Sequence, residues 1–185
     1  MMRPFYLYGS EVLRQKAAPA DIENGKENIK ELVSDLWETL KASEGCGLAA
    51  PQVGESLRVA VVDGDVMADV FPYLKGFKRT FINPVVVSLS DSMCEYEEGC
   101  LSVPGIYASV RRPESIEVEY YDETFTKKTE TFDKFACRMI EHEFSHLDGE
   151  LFTDIVAPIR RKMIGKKLLN IAQGKIRTSY KSKIK

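Results

Sequence analysis

The sequence predicts an α+β fold. Extended segments dominate the middle of the chain, two of them form a hairpin, and the helices are set apart rather than alternating with strands as in a doubly wound fold. Residues 28–42 read as an amphipathic helix, with Ile29, Leu32, Val33, Leu36, Trp37 and Leu40 at 3-4-7 spacing. A glycine-bracketed segment follows, from Gly45 to Gly54. Residues 57–63 read as a strand, and 65–78 as an irregular stretch long enough to suggest function or mobility. Residues 80–88 form a second strand, broken by Pro84, and 97–105 are punctuated by Gly99, Pro104 and Gly105. Residues 115–121 and 125–131 form a hairpin, in which Ile116, Val118 and Tyr120 alternate with Glu117, Glu119 and Tyr121. Helical spacing returns at 132–147, ending at Gly149, and again at 157–173 before Gly174.

The 185 residues suit one domain spanning 1–185, and a chain of this length buries a core without disulfides. Apolar content of 44% and charged content of 29% are those of a soluble globular protein. No apolar run is long enough to span a membrane, and the start is too polar for a signal-peptide core, so a cytoplasmic location is expected. Cys46, Cys94, Cys100 and Cys137 form no C-x-x-C pair and are expected to be reduced. The net charge of -2 is unevenly spread. Residues 155–185 hold ten Lys or Arg and no acid, leaving 16 basic against 28 acidic residues elsewhere. A basic helix and tail at 157–185 suggest either a phosphate-bearing partner or a solvated surface.

The only two histidines, His142 and His146, bracket Glu143 in His-Glu-Phe-Ser-His. Four residues apart on a helix, two imidazoles share one face and can hold one metal ion, with the glutamate as general base. A catalytic site of this kind needs a third protein ligand. Nothing acidic follows Asp154, and Glu150 and Asp154 sit too close to His146 to act as a distant glutamate ligand. The extended pattern H-E-x-x-H-x-x-G-x-x-H fits at Gly149 but meets Phe152 where the last histidine belongs. Both protease continuations therefore fail. Cys137 points about 140° away from His142 on the same helix. Cys46, Cys94 and Cys100 remain, and spacing gives Cys100 only a modest edge.

Three segments, in order, resemble the peptide deformylase family: Gly45-Cys46-Gly47-Leu48-Ala49-Ala50-Pro51-Gln52, then Glu98-Gly99-Cys100-Leu101-Ser102, then His142-Glu143-Phe144-Ser145-His146-Leu147-Asp148-Gly149. The resemblance implies that family's fold, with antiparallel or mixed sheets around a central metal-binding helix. It implies removal of the formyl group from the N-terminal formyl-methionine of new polypeptides, releasing formate. It makes Cys100, His142 and His146 the ligands of one divalent metal, Fe²⁺ by family habit. The donor set also accommodates Zn²⁺, Ni²⁺ or Co²⁺. A metal-bound water would attack the formyl carbon, with Glu143 as general acid and base. Gln52 and the Leu101 N–H would stabilise the oxyanion.

Substrate contacts are expected from Gly47, Glu98 and Gly99 along the peptide. Cys46, Phe135 and Met139 are candidates around the methionine side chain, with the stem of Arg138 a weaker one, and Tyr107 for the entrance. Phe135 and Met139 serve equally well as ordinary core. The partners are N-formylmethionyl nascent chains, with no DNA and no membrane expected. Ribosomal RNA is a candidate for the basic tail, and trimming 175–185 is expected to weaken ribosome binding while sparing a small formyl-peptide. The helix motif departs from the family's usual Gln-His-Glu-x-Asp-His at Glu141 and Ser145. Loss of the acid at 145 is expected to leave Arg111 or Arg112 without a partner. A dead relative would have no reason to keep Glu143, and a structural metal site is normally closed by four ligands.

Overall fold

The computed structural model describes residues 1–43 and 45–184. Twelve regular elements follow in order: β1 (Phe5–Tyr6), α1 (Lys26–Ser43), β2 (Gly47–Ala49), β3 (Val59–Asp63), β4 (Lys78–Leu89), β5 (Met93–Cys100), β6 (Val103–Pro113), β7 (Ser115–Tyr121), β8 (Lys127–Asp133), α2 (Lys134–Leu147), α3 (Pro158–Ala172) and β9 (Ser182–Lys183). The α+β expectation is met. Five strands form an antiparallel sheet in the order β2-β3-β4-β7-β8, β5 pairs with β6, and β1 pairs in parallel with β9.

Helix α2 is anchored by its apolar positions against the large sheet. Cys137, Ile140 and Leu147 are fully buried among side chains of the large sheet, including Phe81, Ile116 and Val118. Burying a side chain of this size contributes about 1.5–3 kcal/mol. Helix α1 packs Leu32, Leu36 and Leu40 into a second cluster with Leu48, Val59, Val61 and Ile82. The histidine-bearing face of α2 is thus held between two cores.

Several boundaries differ from the sequence reading for identifiable reasons. Phe132 and Asp133 belong to β8, paired with Ile116 and Ser115, so α2 starts later than the helical spacing suggests. Pro84 does not end the second strand; β4 runs through it with a register shift between Ile82 and Val85, the kind of bulge that tolerates proline. The punctuated segment 97–105 is the end of one hairpin: β5 pairs with β6 from Met93↔Pro113 to Cys100↔Val103, turning at Leu101 and Ser102. The stretch 65–78 is ordered by two 3-10 turns, Asp65–Met67 and Pro72–Leu74, with the Gly76 N–H donating to Asp65 Oδ1 at 2.6 Å.

The end of the chain is not a separable basic arm. Phe5 N–H donates to the Lys181 carbonyl and Leu7 N–H to that of Lys183, each at 2.9 Å. Removing 175–185 would delete β9 and its pairing with β1, so such a trim alters the fold as well as the charge.

Candidate active site

Cys100, His142 and His146 come from two elements that the sequence keeps more than 40 residues apart. Cys100 ends β5, and the histidines stand one turn apart on α2. One donor atom from each lies within 4.8 Å of the others. Cys100 Sγ is 3.3 Å from His146 Nε2. Metal–ligand bonds of about 2.0–2.3 Å place donors roughly 3.5 Å apart, so the cluster has the spacing of a metal site. Cys46 lines the cleft, but the sulfur that converges with the two histidines is that of Cys100.

The tautomer of His142 is set by its neighbour. His142 Nδ1 is 2.7 Å from Glu98 Oε1, which leaves Nε2 for a metal. Burial disfavours a charged His142, yet Cys100 and Glu98 outweigh it and lift its pKa to about 10. His146 is pushed the other way, well below its ordinary value, chiefly by burial. The donor set and its surroundings therefore fit a divalent ion.

Glu98 was expected against the substrate peptide. It lines the cleft, and its carboxylate is held by neighbours: Arg112 Nε at 2.8 Å and Arg138 Nη1 at 2.7 Å donate to Oε2, while Arg112 Nη2 at 3.0 Å and His142 Nδ1 at 2.7 Å meet Oε1. Burial opposes the charge, but His142 and Arg112 hold Glu98 well below the usual carboxylate range. The same network bears on two other expectations. Arg138 lines the cleft while its guanidinium donates to Glu98, Val110 and the Cys94 carbonyl, which leaves only its stem for a substrate. Arg112 is not left without a partner, because it also donates to Ser145 Oγ at 2.9 Å. Since Ser145 in turn donates to the Glu141 carbonyl, its hydroxyl is satisfied. Ser145→Asp is expected to change formate release only modestly, by less than loss of a ligand; collapse of activity in a formyl-peptide assay would contradict this.

Glu141 is pushed up to about 7 by burial, and the Cys137 thiol donates to it at 3.4 Å. Its pKa is thus higher folded than unfolded. Below the unfolded value both states hold the proton and nothing is lost. Between that value and about 7 stability falls as pH rises, because only the unfolded state releases the proton freely. Glu141→Gln is expected to raise Tm more at pH 8 than at pH 5; an equal shift at both would refute the assignment.

Glu143 is buried at the head of the cleft, and burial lifts its carboxyl pKa to about 7. Its Oε2 has no hydrogen-bond partner among the described residues. Gly47 makes room for it: a Cβ at that position would lie 2.7 Å from Glu143 Cδ. Gln52 is 2% exposed, with Oε1 accepting from Ala49 N–H at 2.9 Å. That bond turns Nε2 toward Cys100 Sγ, 3.4 Å away, and Ser102 Oγ, 3.3 Å away.

The cleft holds about 430 Å³. Cys46, Gly47, Gly99, Phe135 and Met139 line it, with half-exposed Tyr107 at its edge, where these residues were expected. Two further wall residues, Val66 and Met67, come from the irregular stretch. Phe71 of that stretch stacks on Phe135, with ring centroids 4.5 Å apart. Only its unusual length signalled this; nothing in the sequence signalled that Tyr180 also reaches the cleft.

A buried, unpartnered carboxylate beside a Cys-His-His cluster in a peptide-sized cleft defines a metal-dependent hydrolase. Residues 2–162 match the model of the family described as polypeptide deformylase. Peptide deformylase of Flavobacterium johnsoniae is 40% identical over 190 residues, covering 99% of this chain and 96% of that protein. Among solved structures, a peptide deformylase from Legionella pneumophila shows a TM-score of 0.81 at 34% identity, covering 96% of this chain and 99% of that one. One from Plasmodium falciparum shows 0.82 at 31% identity, covering 92% and 95%. The chain belongs to the polypeptide deformylase family, whose members remove the formyl group from the N-terminal methionine of new polypeptides. No helix among the described residues is long and apolar enough to cross a membrane.

Proposed function

We propose that Cys100, His142 and His146 hold one divalent ion, Fe²⁺ in the cell, and that residues 1–185 work as one deformylase domain. The observation that carries the reading is Glu143 Oε2, buried and unpartnered beside the Cys100–His142–His146 cluster. When bound, the ion supplies Lewis acidity, which makes a water nucleophilic near neutral pH and polarises the formyl carbonyl. Glu143 takes the proton of the attacking water and returns it to the departing amine, which otherwise leaves poorly. The Gln52 amide and Leu101 N–H donate to the developing oxyanion; one such donor is worth about 10²–10³ in rate. Gly47 and Gly99 let the substrate backbone approach closely as an added strand, with Tyr107 at the entrance. Cys46, Phe135 and Met139 receive the methionine side chain.

A thiolate with two imidazoles also accepts Zn²⁺, Ni²⁺ or Co²⁺. Anaerobic purification with metal analysis, paired with formate release from formyl-Met-Ala, tests the assignment. Iron lost on exposure to air together with activity supports it, whereas full activity with zinc alone would remove iron from the account.

A substrate that emerges from ribosomes supports a cytoplasmic enzyme that works beside them. Lys162, Lys166 and Lys167 on α3 are exposed and suit RNA phosphates. Replacing all three with Ser should weaken ribosome binding with a shallower salt dependence and spare small-peptide cleavage. Unchanged ribosome binding would remove this contact.

A further inference from the structure

The Leu101–Ser102 peptide, at the turn between β5 and β6, is held on both sides. Its carbonyl accepts from the Tyr180 hydroxyl at 2.6 Å. Its N–H donates to Cys100 Sγ at 3.4 Å. The next carbonyl, of Ser102, accepts from Tyr8 N–H at 2.7 Å, and the Ser102 hydroxyl accepts from Gln52 Nε2. One peptide group therefore links the C-terminal segment to the sulfur of the cluster.

Tyr180 is itself held in place. Its ring meets Phe5 edge-on, with centroids 5.2 Å apart, and Phe5 is buried. Thr178 Oγ1 donates to the Tyr180 carbonyl at 2.7 Å and lies 2.8 Å from Ser182 Oγ. The β1–β9 pairing fixes the segment on either side of these contacts. A hydrogen bond to a peptide carbonyl polarises the group and strengthens its N–H as a donor. Such a donor draws electron density from a thiolate and restrains its rotamer.

We propose that Tyr180 is a positioning residue of the active site: through the Leu101–Ser102 peptide it orients and tunes the Cys100 sulfur and steadies the Leu101 N–H. This rests on the reading of Cys100 as a ligand. The C-terminal segment is then part of the catalytic architecture, although residues 163–185 lie beyond the match to the family model.

The test compares unaltered and Tyr180→Phe protein loaded with Co²⁺, reading the thiolate-to-cobalt absorption band, kcat, KM and Tm. Outer partners of a metal ligand typically carry about 10–100-fold in affinity or activity. The expected result is a shifted band and a kcat lowered about tenfold, with KM little changed and Lys175→Ser behaving as the unaltered protein. An unmoved band with unchanged kcat overturns the proposal, as does a rise in KM alone, which would make Tyr180 a substrate contact. Absence of the band in the unaltered protein would instead overturn Cys100 as ligand, and this inference with it. If Tyr180→Phe melts below the assay temperature, Phe5→Leu, which loosens the ring's seat, must show the same shift and selective loss of kcat. A normal band and kcat there overturn the proposal.

Discussion

Glu143→Gln is expected to lower formate release by about 10²–10⁴-fold while leaving the metal content unchanged. The amide keeps the shape beside Gly47, where a Cβ would lie 2.7 Å from Glu143 Cδ, so the fold has no reason to rearrange. What is lost is the ability to accept a proton from water and return it to the amine. The loss should fall on kcat, because Glu143 acts on the reacting groups and not on the methionine pocket. Metal analysis of the purified variant, beside its turnover of formyl-Met-Ala, separates the two roles. Retained turnover would mean that another group moves the proton; lost metal would mean that Glu143 shapes the cluster.

Glu98→Ala is expected to be the most destabilising change outside the metal ligands. It removes the carboxylate that meets Arg112, Arg138 and His142, and leaves both buried guanidinium groups without their counter-ion. Breaking a buried pair from one side costs about 3–5 kcal/mol. At roughly 2–4 °C per kcal/mol for a chain of this size, Tm should fall by about 10 °C. His142 would also lose the partner that fixes its tautomer, a change that typically lowers metal affinity about 10–100-fold. Glu97→Ala, one residue away and exposed, should change neither quantity appreciably. Chemical denaturation and metal competition measure the two effects. Glu98→Ala melting like Glu97→Ala would show that the arginines find other partners.

Glu98 also explains why part of this architecture was hidden in the sequence. In β5 the inward positions are Cys94, Tyr96 and Glu98, so the strand's inner face ends on a charge and its alternation is blurred. The partners that make that charge tolerable lie 14 and 40 residues away, in β6 and α2. No local pattern predicts them. The hairpin β5–β6 is masked because Gly99, Pro104 and Gly105 are turn residues by type, although here they flank a two-residue turn.

The histidine helix was legible for the opposite reason. His142, Glu143 and His146 owe their arrangement to helical spacing alone, which local sequence states directly. Gln52, Cys100 and Leu101 were reached through the three matched segments, since spacing left Cys46 and Cys94 open as well. Val66 and Met67 lay in a stretch marked only by its length. Tyr180 was unreadable, because its role depends on β1 and β9 pairing across almost the entire chain.

Cys100, His142 and His146 as the site of a deformylase are tested most directly by titrating Fe²⁺ anaerobically into chelator-stripped protein while following formate release from formyl-Met-Ala. The account predicts that activity is absent at the start, rises with added ion and levels off at one ion per chain, and that Cys100→Ala gains none. Full formate release by the stripped protein, or restoration of Cys100→Ala by the same ion, would contradict it.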